Sequence, residues 1–261
     1  MSPNEPASRN LVWLFSGTSD GNAIGLKLIN SGYSIKLFVA TDYGKEVALK
    51  SFPADTIHTG RLDREQLLQK EKEDRPKTVI DATHPFAAEI SANLIELCKR
   101  TSANYVRFER PNDLPSDKDI HIVANYEEAA RKADQLGRRI LLTTGSKEID
   151  TFFKADIRGE LFLRMLPSPK LLQEVLAKGM HQKNIVAMQG PFSLDTNQSL
   201  IERWQIDCLV TKASGKEGGL LEKIEAARIC DIPVVVIDRP KMDYPVVFNE
   251  VDSLLDYLQE Q

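Results

Sequence analysis

Short apolar runs alternate with amphipathic runs of helical period from near residue 11 to the end of the chain, and this alternation constrains the fold more than any other feature. Parallel strands must each be returned to the same edge by a crossover, usually a helix, and strands covered on both faces read as unbroken apolar runs. The apolar runs 11–16, 34–40, 56–58, 78–81 and 105–108 read as strands, with helical patterns at 21–31, 43–50, 63–72 and 87–99. A stretch without periodicity, 111–118, contains Pro111 and Pro115 and reads as a linker. A second series follows, with strands at 120–123, 139–143, 161–165, 185–188, 207–211 and 233–237. Its helices fall at 126–136, 170–178, 194–204, 221–230 and 251–259. A length of 261 residues suits two such units, since domains cluster near ~100–150 residues. The expected fold class is therefore α/β, with lobes at 1–112 and 113–261 whose parallel sheets face a central cleft.

Charge narrows the partners. Lys and Arg number 34 against 38 Asp and Glu, a formal charge of −4, so no broad basic surface for nucleic acid or anionic lipid is expected and any anion must be met locally. A hydrophobic fraction of 42% supplies a core, and no apolar run is long enough to suggest a membrane span. Cys98, Cys208 and Cys230 lie far apart and form no C-x-x-C pair, which argues for buried thiols in a reducing cytoplasm and against zinc. Residues 1–9 lack the apolar stretch of a signal peptide. Nothing in the sequence reads out the oligomeric state.

In open α/β sheets ligands bind beyond the carboxyl ends of the strands, and the residues there are informative. The first strand is followed by Ser16-Gly17-Thr18-Ser19-Asp20-Gly21, a turn that can hold a phosphate at a helix N-terminus or serve only as a Ser/Thr cap. It is neither G-x-G-x-x-G nor a P-loop. After the second strand, Thr41 and Asp42 occupy the place where a dinucleotide fold reads the adenosine ribose, with Lys45 nearby; Asp42 reads equally as a helix cap. The fourth strand runs into Asp81-Ala82-Thr83-His84-Pro85-Phe86. There the proline keeps His84 extended, and Pro85 suits the first position of a helix.

The second series repeats the arrangement with Thr143-Thr144-Gly145-Ser146-Lys147, Arg164 before Leu166-Pro167-Ser168-Pro169, Gln189-Gly190-Pro191-Phe192-Ser193, Thr211-Lys212-Ala213-Ser214-Gly215 and Asp238-Arg239-Pro240. Lys147, Arg164, Lys212, Lys216 and Arg239, with Arg61, Arg107 and Arg110 in the first lobe, would gather cations at strand ends and suit a polyanionic small molecule. Several chemistries are excluded by their motifs: there is no Y-x-x-x-K dyad, no G-x-S-x-G elbow and no H-E-x-x-H. The residues alone reach a two-lobed α/β protein that binds a nucleotide and an anionic small molecule.

From about Leu11 to Pro240 the chain resembles the precorrin-6A reductase family of cobalamin biosynthesis, including its cobalt-precorrin-6A branch. The resemblance is carried in order by Gly17-Thr18-Ser19, Asp81-Ala82-Thr83-His84-Pro85-Phe86-Ala87 and Arg107-Phe108-Glu109-Arg110-Pro111. It continues through Thr144-Gly145 with Lys147, Met188-Gln189-Gly190-Pro191-Phe192-Ser193, Thr211-Lys212 with Ser214-Gly215, Gly218-Gly219 with Glu222-Lys223, and Arg239-Pro240. It implies two Rossmann-like lobes and reduction of a macrocycle double bond by NADH or NADPH. The implied substrate is a polycarboxylate tetrapyrrole, precorrin-6A or its cobalt form.

The same resemblance implies cofactor contacts from Ser16, Gly17, Thr18, Ser19, Thr41 and the loop Asp81, Ala82, Thr83, His84, Pro85 and Phe86. Substrate contacts fall to Arg61, Lys147, Arg164, Gln189, Gly190, Lys212, Ser214 and Gly215. His84 and Lys212 are the candidates to deliver a proton. Two departures stand out: Ser16 occupies the position where the family often has the first glycine of Gly-Gly-Thr, and Gly21 and Asn22 follow Asp20 where many members carry an Arg. Both leave NADH against NADPH open, while Thr18-Ser19-Asp20-Gly21 looks more like the cobalt branch. A non-catalytic carrier of the same fold is the alternative.

Overall fold

The structure, a computed structural model, describes residues 11–112, 114–115, 117–215 and 218–261. The polar tail 1–9, Lys216 and part of the 111–118 stretch lie outside the described residues. The chain divides into two compact units, 1–111 with 241–261, and 112–240.

The first unit contains β1 (Leu11–Phe15), α1 (Ser19–Asn30), β2 (Ser34–Val39), α2 (Asp42–Ala48), β3 (Ile57–Thr59), α3 (Arg64–Asp74), β4 (Thr78–Asp81), α4 (Ala88–Arg100) and β5 (Asn104–Phe108). The second contains β6 (Ile120–Val123), α5 (Tyr126–Leu136), β7 (Arg139–Leu142), α6 (Ile149–Lys154), β8 (Glu160–Met165), α7 (Pro169–Ala177), β9 (Ile185–Ala187), α8 (Leu194–Arg203), β10 (Cys208–Lys212), α9 (Leu220–Ile229) and β11 (Val234–Ile237). The chain then returns to the first unit with β12 (Val247–Phe248) and α10 (Val251–Gln259).

Every strand pair is parallel. The first sheet runs β12-β5-β4-β1-β2-β3 and the second β6-β11-β10-β7-β8-β9. Burial on both faces explains why Val12 to Phe15, Thr78 to Asp81 and Val234 to Ile237 carry no polar alternation. Leu14, Ile24, Leu28 and Leu37 form one apolar layer of the first unit, and Trp13, Phe15, Phe38 and Leu94 belong to the other.

The return of the C-terminus corrects the expected division, which left 241–261 with the second lobe. β12 pairs with β5 through Val247 opposite Arg107 and Phe248 opposite Phe108, and Leu254, Leu255 and Leu258 of α10 enter the first core. Two residues of strand show no period, and an apolar helical stripe fits any sheet. With β12 as sixth strand, the first sheet has the order 3-2-1-4-5-6 of a dinucleotide-binding fold. The short helix α6 was also not expected, and α4 starts at Ala88 instead of at Pro85 because His84 to Ala87 forms a turn closed by Ala87 N–H donating to His84 O, 2.8 Å. No helix among the described residues is long and apolar enough to cross a membrane.

Candidate functional site

In the first unit β1 leads to β2 on one side and β4 to β5 on the other, so the strand order reverses between β1 and β4. That switch point is where such sheets hold ligands. The β1 turn and the β4 loop are tied together by Thr18, whose hydroxyl accepts from Gly21 N–H at 3.2 Å as the cap of α1 and donates to Ala82 O at 3.2 Å. Gly17 is exposed, and a Cβ placed there would meet no atom within 4 Å. A helix N-terminus, a bare backbone position above it and this strand order together fit the pyrophosphate of a dinucleotide.

Ser16 is buried, its N–H donating to Phe38 O at 2.9 Å, and its side chain fills the space a Cβ on Gly21 would need. With serine at 16, any side chain at 21 would displace it, so glycine is the residue that fits there. Ser19 is exposed at the start of α1. Thr41 caps α2 by accepting from Gly44 N–H at 3.0 Å, so the cap is Thr41 and not Asp42, which begins the helix. Arg61, expected among the substrate contacts, follows β3 in the first unit, on the Thr41 side of the sheet, exposed.

The β4 loop is held from beneath. Asp81 and Arg107 are both 0% exposed and paired at 2.9 Å. Asp81 Oδ1 also accepts from Thr83 N–H and hydroxyl, at 3.1 and 2.6 Å, while its Oδ2 accepts from Tyr105 at 2.9 Å. Arg107 further donates through Nε and Nη2 to Glu109, 2.9 and 2.5 Å, and lies 5.1 Å from the Tyr244 ring centroid. Burial beside the Asp81 charge drives the Tyr105 phenol far above its ordinary value. Asp81, expected to touch the cofactor, is therefore saturated and sealed; it shapes the loop that Thr83, His84, Pro85 and Phe86 present, all half-buried. Ala82 is buried, its N–H on Phe15 O at 2.9 Å. His84 Nδ1 accepts from Phe86 N–H at 3.2 Å, which places the proton of the neutral ring on Nε2. Arg107 and Arg110, counted among the strand-end cations, are engaged by carboxylates, Arg110 gripping Asp20 with Nε at 2.9 Å and Nη2 at 2.7 Å.

The second sheet reverses between β7 and β10. The β7 turn carries half-buried Gly145, with φ +83°, and exposed Lys147; the β10 loop carries Lys212, Ser214 and Gly215, with φ +71°. Burial, reinforced by Lys147, pulls the Lys212 ammonium below its ordinary value, opposed by Glu148. Arg164 is 5% exposed; it donates to Asn197 Oδ1 at 2.6 Å and stacks 3.9 Å from the Phe192 ring centroid. Burial pulls its guanidinium down to about 10, so it stays cationic. Asn197 in turn donates to Phe192 O and Ser193 O, which fixes the turn around the cis Gly190–Pro191 bond. Gln189 is exposed and Gly190 half-buried. Arg239 donates to Ala213 O at 3.1 Å.

Sequence reasoning named Lys223 within the resemblance but gave it no role; it is 6% exposed and donates to Gly218 O at 2.6 Å. The available signal was its spacing, since Leu220, Lys223 and Ala227 recur at i, i+3 and i+7, the period of a buried helix face.

The chain matches the family model described as precorrin-6x reductase CbiJ/CobK over residues 11–259. It is 34% identical to a cobalt-precorrin-6A reductase of Priestia megaterium, over 96% of this chain and 99% of that one. To a cobalt-precorrin-6A reductase of Methanocaldococcus jannaschii it is 37% identical, over 94% and 96%. Among solved structures, a CobK precorrin-6A reductase superposes with a TM-score of 0.76 at 22% identity, covering 96% of each chain, which supports the fold.

Proposed function

From the chain's membership of the precorrin-6x reductase family CbiJ/CobK, an oxidoreductase family of cobalamin biosynthesis acting on a CH–CH bond, we propose that it reduces cobalt-precorrin-6A to its dihydro product with NADH or NADPH. The observation that carries the cofactor half is the first sheet, whose order and switch point put Gly17 and Thr18 beside the Ala82–Phe86 loop. A bound nicotinamide cofactor supplies the hydride; the rest is positioning. Backbone N–H groups at the start of α1 would hold the pyrophosphate, Thr41 and Arg61 would lie toward the adenosine, and the Asp81–Arg107 pair keeps the His84 loop in place.

The substrate half rests on the second unit. A corrin precursor is a flat apolar ring with a carboxylate rim, and the ends of β8 and β9 offer exposed Leu166 and Met188 alongside Lys147, Arg164 and Lys212. Reduction also needs a proton at the carbon beside the one that takes the hydride. His84 Nε2–H and the Lys212 ammonium are the groups we assign to supply it or to orient a water. The test is to mix the purified protein with cobalt-precorrin-6A and each nicotinamide and follow loss of reduced-cofactor absorbance. Binding without oxidation of either cofactor would leave a carrier. His84→Ala and Lys212→Ala are expected to lower kcat while the protein stays folded, and wild-type turnover in both would remove them from the reaction.

A further inference from the structure

The face of the second sheet covered by α8 and α9 is apolar along most of its length, with Phe162, Leu209 and Ala213 packing on Ile201, Leu220 and Ala226. Side chains two apart on a strand share a face, so Arg164 follows Phe162 and Thr211 follows Leu209 onto this same side at the carboxyl ends of β8 and β10. Lys223 enters from the first turn of α9. Arg164 and Lys223 are 5% and 6% exposed, and Thr211 is 0% exposed.

No carboxylate among the described residues pairs with either cation. Among the described residues Arg164 has one hydrogen bond, to the Asn197 amide; Lys223 has one, to a carbonyl; the buried Thr211 hydroxyl has none. An unpaired charge in the interior costs several kcal/mol, and here two basic side chains share one buried layer with no acid beside them. Lys223 is placed against a further cost, because the N-terminus of α9 is the positive end of the helix dipole. Burial pulls its ammonium down to about 7, with Arg164 and Lys212 adding to the effect and Glu222 opposing it. On the facing elements Lys212 ends β10, and Lys147 and Glu148 follow β7. Such an arrangement is unfavourable as a structural feature and favourable as a receptor for an anion.

We propose that Arg164, Thr211 and Lys223 form a buried receptor for one carboxylate of the substrate, and that entry of this carboxylate brings a proton onto Lys223. The proposal rests on the reductase reading for the identity of the anion. Arg164 supplies the permanent charge, the Thr211 hydroxyl gains its missing partner, and the anion offsets the burial and the repulsion from Arg164 and Lys212 that together hold the Lys223 ammonium down. A charged Lys223 also holds the Gly218 carbonyl more strongly.

The test is calorimetric titration of the protein with cobalt-precorrin-6A, and separately with NADH and NADPH, at pH 8 in two buffers of different ionisation enthalpy. The wild type is expected to take up close to one proton with the tetrapyrrole and none with the nicotinamides. Lys223→Met is expected to lose the uptake and to bind the tetrapyrrole roughly thirtyfold more weakly, the scale for removing one member of a buried charge pair. Lys223→Arg, permanently charged, is expected to bind without uptake and keeps the test open should the methionine variant misfold. Unchanged uptake in either variant overturns the proposal. Uptake that accompanies a nicotinamide assigns the receptor to a cofactor phosphate and likewise overturns the carboxylate assignment. Inorganic sulfate separates the two levels of argument: if the tetrapyrrole does not bind at all but sulfate stabilises the wild type more than Lys223→Met and Arg164→Met at matched ionic strength, the receptor stands and the reductase reading fails.

Discussion

Arg107→Met tests whether the first unit's ligand loop is held from below by a buried ion pair. The wild-type guanidinium is 0% exposed and bonds Asp81, which is also 0% exposed, and Glu109. Methionine fills similar volume but leaves Asp81 without its cation. Breaking a buried pair by removing one partner costs about 3–5 kcal/mol. Glu109 can turn outward, being 18% exposed, and Asp81 keeps its bonds from Tyr105 and Thr83, so the lower part of that range is expected. Adding Asp81→Asn removes the stranded charge and is expected to recover about 2 kcal/mol, a non-additivity that a double-mutant cycle measures.

The assay exploits the two tryptophans. Trp13 lies in β1 of the first unit and Trp204 in the second, so urea unfolding followed by fluorescence in a Trp204→Phe background reports the first unit alone. In the same variant the KM for the nicotinamide is expected to rise more than kcat falls, because the loop from Thr83 to Phe86 loses its anchor. A loss below about 1 kcal/mol, with the double variant no more stable than the single, would show that the pair contributes neither stability nor shape and would refute the argument.

Gly17→Ala is expected to leave stability unchanged, since its Cβ meets open space, yet to raise the nicotinamide KM; Gly21→Ala is expected to lower stability because Ser16 must move, and Ser16→Gly in that background should restore it. Thermal melts with cofactor kinetics check both. For Lys223, the folded value near 7 lies below the unfolded value of an ordinary lysine, so between pH 7 and about 10 the unfolded chain holds a proton the folded chain lacks and stability climbs with pH, by at most about 5 kcal/mol. Subtracting the Lys223→Met pH–stability curve should isolate this climb, and a flat difference would count against a neutral Lys223. Cys98 and Cys208, whose thiols burial pushes up to about 12, are expected to resist thiol reagents until the protein unfolds, as mass spectrometry of labelled protein would show.

The strands were legible because parallel sheets bury both faces, so Val234 to Ile237 could be read as a strand without reference to anything else. β12 was not legible, because Val247 and Phe248 owe their strand geometry to Arg107 and Phe108 across the ladder and not to local pattern. The helix α10 was found but placed in the wrong unit, since Leu254, Leu255 and Leu258 match either sheet. Near the candidate site, the position of Gly17, Thr18 and His84 just beyond β1 and β4 was legible because the strands before them were. For Asp81 the same signal is silent on direction: a carboxylate at the end of a strand can face outward or be paired beneath, as Asp81 is with Arg107.

The distribution of countercharge distinguishes the two sheets more than the distribution of cations does. Sequence reasoning grouped Lys147, Arg164, Lys212, Lys216 and Arg239 with Arg61, Arg107 and Arg110 as one anion-binding population. In the first unit Arg107 is matched by Asp81 and Glu109 and Arg110 by Asp20, so the proposed cofactor edge would rely on backbone N–H groups and a helix terminus. In the second unit Arg164 and Lys223 are buried with an amide and a carbonyl for partners. Neutralised cations beside a helix N-terminus suit a pyrophosphate that brings its own diffuse charge. Uncompensated cations in an apolar layer suit a carboxylate that arrives from solution and pays for its own burial. On the proposed reading a chain of net charge −4 needs no basic surface to bind a polycarboxylate, because the buried basic groups that no described carboxylate pairs would select it.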